Sequence, residues 1–536
     1  MTVRALLVRS TMLGATVVAA ANAQRGPVQR ITDPAASIDI VVKPIRNGAP
    51  DVQYAEVHEQ ITRSAGVTSP EFIVQVPGGP PGPPAAPGIE VLELSDAQGA
   101  VPIHADSGTR RWRATRAVTF PVTLTFKARM WPPGTRTNPS YMLRSSAGSV
   151  SGQGTGILVT PMDNVDYAGR FRWDLSELAA GSVTTSGLTD QNDVRAPVAA
   201  LMQNFFMAGP LNHFPAKGDR DGFAAYWHGT PPWDAPQVMT WVASMYEYMR
   251  KFWVETQPRR YRVMGRMLPP PAYGGTALLN QFIFNAPAGP RDTADKGPLM
   301  LLAHETGHLF VRGLQNPGGG GPSNNWFTEG LNEYYAVNLA LRSGLGPLDL
   351  VLDEMNLQTR NYYTNPRKNM PADQVARNNP MTDGMAQNVS YERGILFWAD
   401  MDSRIRAASG GRKNLDNVMI PLVKRARTLG GEGDVGNQAR AGGQAGWFTP
   451  DELVDSLVKF AGPDARAVFD SVIVQGKSIV PHANAFGPCF ELRPTRVAAR
   501  YLGSLGRADT VAAEPSTEAY LWYRVAGVAD ARCRRW

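Results

Sequence analysis

Residues Leu301–Leu314 read L-L-A-H-E-T-G-H-L-F-V-R-G-L, and after a glycine-rich break residues Asn324–Ala336 read N-N-W-F-T-E-G-L-N-E-Y-Y-A. Read as two helices joined by a loop, these residues have the parts of a one-metal hydrolytic site. His304 and His308 stand at i and i+4, one helical turn apart on one face, so both imidazoles can point at a single ion. Glu305 lies beside the first histidine but off the ligand direction, where a general base belongs when a metal-activated water is the nucleophile. Catalytic zinc takes three protein ligands and keeps a fourth position open. Glu329, which opens the second helical pattern, is the candidate third ligand. The loop Asn316–Asn325 (N-P-G-G-G-G-P-S-N-N) leaves the chain free to turn that helix back on the first. Glu333, one turn on, is placed to accept the free N–H of a ligating histidine. Leu301, Leu302, Leu309 and Phe310 would half-bury the histidine pair, so both rings need polar partners. The plainer alternative is an amphipathic helix with ordinary surface histidines.

With HExxH at 304–308 followed by a downstream glutamate, the chain resembles the gluzincin metallopeptidases. Within them, W-F-T-E-G-L-N-E-Y-Y (326–335) looks like the second motif of the glycyl aminopeptidase family, peptidase family M61, which is similar to the larger M1 aminopeptidases. The resemblance implies a thermolysin-like catalytic domain and one zinc ion per chain, with His304, His308 and Glu329 as ligands and Glu305 as base. Val389–Leu396 (V-S-Y-E-R-G-I-L) resembles the Tyr-x-Lys/Arg-Gly segment of both families. That implies a role for the Tyr391 hydroxyl as donor to the oxyanion, a donor the chemistry requires because attack puts negative charge on the carbonyl oxygen. Ala399–Met419 looks like the same family's helix and turn, with Ser409-Gly410-Gly411 ending the helix.

Outward from the site, Ala235–Thr256 reads as a helix and Arg260–Met267 as a strand. Pro269–Asn285 (P-P-P-A-Y-G-G-T-A-L-L-N-Q-F-I-F-N) follows. The resemblance makes it the sheet edge that pairs with substrate backbone, where Gly274 and Gly275 would let a peptide approach closely; a plain turn is the alternative. The family pattern has an acidic residue soon after the glycine pair, to hold the substrate's free α-amine. Here Thr276 to Gln281 contain no carboxylate. An ammonium in a dry cleft needs a charge partner, so an endopeptidase, a broadened specificity and an amine anchor from elsewhere all stay open.

From about Ile38 to Ser176 the pattern is period-two and β-branched: Ile38–Val42, Phe72–Val76, Ile89–Leu94 and Val118–Phe126 read as strands of an antiparallel domain. Pro77–Gly88 reads as a proline-rich surface loop. Residues 346–475 read as helical, with Leu348–Asn356, Pro371–Asn378 and Ser390–Ala408 at helical spacing. The expected fold is therefore multidomain α+β: a β domain over 24–195, a thermolysin-like domain over 196–345, a helical domain over 346–475 and a short extension over 476–536. That extension is too short for a complete PDZ-like module and reads as irregular or as a truncated one. The run Gly318–Gly321 lacks the lysine and preceding strand of a phosphate loop and reads as a hinge.

Residues 1–23 read as a secretory signal: Arg4 and Arg9, a short apolar stretch from Thr11 to Ala20, and Ala21-Asn22-Ala23 before Gln24. The expected location is secreted or periplasmic, without a membrane span in the mature chain. The formal charge is +7, and +5 once Arg4 and Arg9 are removed (54 − 2 = 52 cations against 47 acidic residues). With basic residues scattered rather than striped, nothing suggests nucleic acid. The two cysteines, Cys489 and Cys533, either pair after export or stay free. The expectation is an exported zinc peptidase acting on peptides or proteins. Its alternatives are a strict aminopeptidase and a catalytically silent peptide-binding protein on the same scaffold.

Overall fold

The structure is a computed structural model and describes residues 31–78, 88–106, 109–132, 142–270, 272–278, 280–311, 314, 324–378, 383–430, 448–501 and 516–534. The expectations for the leader at 1–23, for most of the loop Pro77–Gly88 and for the hinge Gly318–Gly321 lie outside the described residues.

Alternating apolar residues build the first layer. Strands β1 (Ser37–Ile45), β2 (Tyr54–Thr62), β3 (Ile89–Asp96), β4 (Gly99–Val101), β5 (Val122–Arg129), β6 (Ala168–Trp173) and β7 (Asp193–Pro197) form one seven-stranded sheet in the order β7–β6–β1–β2–β5–β3–β4. On β2 the buried positions are Ala55, Val57, Glu59 and Ile61, a period-two face interrupted by one carboxylate. The sheet departs from the antiparallel expectation at one place: β1 and β6 run parallel, with Ile40 opposite Phe171. Both orientations bury the same alternating face, so periodicity does not distinguish them. The single strand expected over Val118–Phe126 is two, Val118–Thr119 and β5, which belong to different sheets. Pro121 lies between them and has no N–H to continue a ladder. The β region also runs past the expected boundary at 195, because Phe205–Gly209 pairs with Ser149–Gln153.

The second layer is a five-stranded sheet of β8 (Asn212–Phe214), β9 (Phe223–His228), β10 (Tyr261–Leu268), β11 (Gly274–Leu278) and β12 (Gln281–Pro287), in the order β8–β9–β10–β12–β11. Strands β9, β10 and β12 are parallel, and β11 is an antiparallel edge. One face carries Tyr261, Val263, Met267, Phe282 and Phe284 into the larger of the protein's cores, shared with the helices. Helix α1 (Ala235–Phe252) starts where Asp234 accepts the Gln237 N–H at 2.9 Å. Helices α2 (Leu299–Gly307), α3 (Asn325–Ser343), α4 (Leu348–Thr364) and α5 (Gly384–Ala408) follow. The crossing of α3 and α5 rests on two glycines: a Cβ added to Gly330 would stand 2.5 Å from the Gly394 Cα. These are the glycines of the T-E-G and E-R-G segments, and their contact sets α5 against the helix that bears Glu329.

After 476 the described residues include two antiparallel paired strands, β13 (Phe490–Ala498) and β14 (Ser516–Arg524), and the second packs on α4: Trp522 Nε1 donates to Thr359 Oγ1 at 3.0 Å. Cys489 and Cys533 are disulfide-bonded, 5.4 Å apart at Cα. No described helix is long and apolar enough to cross a membrane.

Candidate metal centre

His304 and His308 lie at the C-terminal end of α2 and Glu329 in the first turns of α3. Glu329 Oε2 is 3.2 Å from His304 Nε2 and 3.2 Å from His308 Nε2, and the two imidazole nitrogens are 3.0 Å apart. These three are the group among the described residues able to offer converging ligand atoms to one cation. A tetrahedral cage with zinc–ligand arms of about 2.0 Å has edges of about 3.3 Å. The observed separations fit such a cage, and two imidazole nitrogens facing each other beside a carboxylate lack a reason to converge without a cation or proton between them. The residues present therefore fit a zinc ion.

The outer contacts fix the rings. Glu333 Oε1 stands 3.2 Å from His304 Nδ1. Asn332, which sequence reasoning missed, places its amide nitrogen 2.6 Å from His308 Nδ1 and donates to the Thr328 carbonyl at 2.7 Å. Glu329, Asn332 and Glu333 share one face of α3 at helical spacing. That face was legible, but an asparagine one residue before a glutamate carries little chemical signal of its own. Burial opposes protonation of His304, yet the Glu333 and Glu329 carboxylates hold its pKa well above the ordinary imidazole value. A proton and a metal would thus compete for the same nitrogens.

Glu305 is buried, and burial pushes its carboxyl up to about 7 against the pull of His308 and His304. Among the described residues its Oε2 has no hydrogen-bond partner. The edge strand β11 runs beside it: a Cβ at Gly275 would come within 2.4 Å of Glu305 Oε1, so only glycine leaves the carboxylate in place. Gly274 has φ +111°, a conformation that favours glycine. The ring of Tyr391, in the interior of α5, stacks on His304 with centroids 5.6 Å apart. Burial, then Glu329, Glu305 and Glu333, raise its hydroxyl well above the usual phenol range, so it stays a donor. A cavity of about 200 Å³ opens beside these groups and continues to Glu354 and Gln358 of α4 and Glu392 of α5.

No family model and no curated protein matches the chain. Among solved structures it is similar to an aminopeptidase N family protein from Idiomarina loihiensis, with TM-score 0.66, 17% identity, and coverage of 85% of this chain and 79% of that one. Weaker likenesses are an M1 zinc metallopeptidase from Deinococcus radiodurans (TM-score 0.47, 12% identity, 84% of this chain and 96% of that one). A variant of that protein bound to a Tyr-Ser-Ala substrate gives the same TM-score and identity. The first likeness establishes the fold of this chain as that of the aminopeptidase N-like proteins, an α+β architecture with an N-terminal β-sheet domain and a C-terminal helical region.

Proposed function

We propose that this chain is an exported zinc peptidase whose centre is His304, His308 and Glu329. The observation that carries the reading is the convergence of these three ligand atoms, 3.0–3.2 Å apart, beneath the Tyr391 ring and beside an unpartnered Glu305 oxygen. The fold likeness to an aminopeptidase N family protein supports it. The narrower assignment to the glycyl aminopeptidases rests on the W-F-T-E-G-L-N-E-Y-Y segment, and the thermolysin-like reading rests on the edge strand β11 lying against the HExxH helix. Export rests on the leader-like 1–23, and a disulfide suits an oxidising compartment.

When bound, the ion supplies Lewis acidity that activates a water and polarises the scissile carbonyl. The chain's own residues do the rest. Glu333 accepts from His304 Nδ1 and keeps that imidazole aimed inward. Glu305 takes a proton from the attacking water and passes it to the leaving amine. Tyr391 donates a hydrogen bond to the oxygen that gains charge. The β11 edge offers backbone groups to an extended peptide, and Gly275 leaves room for Glu305.

Glu305→Gln removes the base and none of the ligands. Peptide hydrolysis should fall on the order of 10³-fold while metal content, measured on the same sample, stays at one zinc per chain. Undiminished hydrolysis, or the absence of zinc from the wild-type protein, overturns the proposal. Bound zinc without hydrolysis of any peptide in the wild type selects the silent binding protein instead.

A further inference from the structure

The cavity beside the metal centre carries charges that the catalytic reading does not use. Besides the base Glu305 and Glu333, which contacts His304, two carboxylates line it: Glu354 and Glu392. No lysine or arginine among the described residues lines it. Glu392 is 2% exposed and its oxygens are held by neutral donors, the Tyr501 hydroxyl at 2.5 Å and the Asn365 amide at 2.8 Å. Glu354 is half-buried, and the hydrogen bond it accepts is from the Gln358 amide at 2.9 Å. Neither carboxylate pairs with a lysine or arginine among the described residues, and His304 is the cationic group that Glu354 senses. Burial, and for Glu354 also Glu333, raises both carboxyls to about 7. Glu305, 5% exposed, lines the same cavity, and its Oε2 has no partner among the described residues. Met300, Leu301 and Leu357 add apolar surface to the lining.

Buried carboxylates held only by neutral donors are costly, and a cation in a low-dielectric cavity relieves them most strongly. The volume of about 200 Å³ is small beside the roughly 300–1,000 Å³ of drug-sized sites, which suits one side chain. A lining that combines apolar side chains with carboxylates matches a long apolar stem that ends in a charge.

We propose that this cavity is a specificity pocket for a cationic side chain of the substrate, the ammonium of lysine or the guanidinium of arginine, with Glu354 and Glu392 as its floor. The placement rests on the peptidase reading of the adjacent centre. The shared chemistry is an organic cation, which a peptide supplies from a side chain or from its α-amine. The missing carboxylate after Gly274–Gly275 leaves the α-amine without an anchor on β11, but the apolar part of the lining favours the side chain as the occupant.

The experiment reads binding and hydrolysis separately. Calorimetry on the zinc-loaded Glu305→Gln protein compares N-acetyl-lysinamide, whose one charge is the side-chain ammonium, with norleucinamide, whose one charge is the α-ammonium. N-acetyl-norleucinamide, which carries neither, is the reference. We expect N-acetyl-lysinamide to bind at least 10-fold more tightly than the reference, and Glu354→Gln in the same background to abolish that difference. Equal binding of N-acetyl-lysinamide and the reference overturns the proposal. So does a Glu354-dependent gain seen with norleucinamide alone, which assigns the floor to the α-amine. In parallel, wild-type kcat/KM is compared for peptides with lysine or norleucine before the cleaved bond. Cleavage of both at equal rates overturns the pocket and leaves the peptidase standing. Selective binding of the lysine ligand with no cleavage sustains the pocket and overturns the peptidase.

Discussion

The two faces of the five-stranded sheet treat buried charge in opposite ways. On the helical side, five carboxylates (Glu305, Glu329, Glu333, Glu354 and Glu392) gather around two imidazoles and an open cavity. On the side facing the β region, β10 buries two arginines, and they differ from each other. Arg262 reaches Asp190 at 2.7 Å and Asp219 at 2.9 Å, and these carboxylates hold it charged against burial. Arg266, four residues on and fully buried, donates from Nε to Ser151 Oγ at 2.8 Å and from Nη2 to the Met142 carbonyl at 3.2 Å. Its Nη1 has no partner, and burial together with Arg144 lowers its pKa well below the usual guanidinium value. Burial and Arg266 push nearby His228 down to about 3, so its ring is neutral. Arg262 is held by charge and Arg266 by hydrogen-bond geometry. The cleft keeps its charges beside open space, where a ligand can reach them.

Substitutions can break or sharpen that contrast. The largest expected effect is on the cleft side: Tyr391→Phe should lower kcat by about 10²–10³-fold with zinc content unchanged, and an unaltered kcat would remove the hydroxyl from the chemistry. Next, Glu333→Gln should weaken zinc binding about 10–100-fold in a competition with a chelator; unaltered affinity would make its 3.2 Å approach to His304 incidental. On the other face, Arg262→Met should destabilise by about 1–3 kcal/mol, allowing for the partial exposure of its aspartate partners. Arg266→Met should cost less, because it relieves repulsion with Arg144. Denaturant titration orders the two, and the reverse order would show that hydrogen-bond geometry outweighs ion pairing here.

The smallest expected effect concerns Glu59, the carboxylate on the buried face of β2. It accepts the Val159 N–H at 3.0 Å through one oxygen and leaves the other without a partner; burial lifts its pKa to about 8. The folded state thus holds this proton more tightly than the unfolded chain, whose carboxyl titrates near 4.5. Stability is full below that value and falls as pH rises from about 4.5 to about 8. Glu59→Gln should flatten that slope and raise stability at pH 8 by about 1–2 kcal/mol, measured by unfolding at pH 5 and pH 8. An unchanged slope would mean that Glu59 is solvated in the folded protein.

Local spacing carried the centre of the site and packing carried its surroundings. The i, i+4 histidines and the helical offset of Glu329 and Glu333 are properties of one short stretch, so the sequence exposes them. Tyr391 was legible through its Y-E-R-G neighbours, whose glycine turns out to meet Gly330. Asn332 was not, since asparagine on a helix face has no distinctive chemistry. Glu354, Glu392 and Tyr501 come from α4, α5 and the segment after β13, and only the folded arrangement brings them together. The parallel pairing of β1 with β6 was illegible for a different reason: an alternating strand buries the same side chains whichever way its neighbour runs.

The hydrogen bond from Tyr501 to Glu392 spans 109 residues of sequence, and the disulfide ties down the same C-terminal segment. During synthesis His304, His308 and Glu329 emerge from the ribosome well before Tyr501, so a nascent chain that already holds the proposed ligands still lacks the hydroxyl that holds Glu392. A shortened chain ending before Tyr501 would retain the HExxH helix, Glu329 and Tyr391 yet lose the hydroxyl that holds Glu392 on the cavity wall, which makes the C-terminal region a poor place to trim in protein engineering.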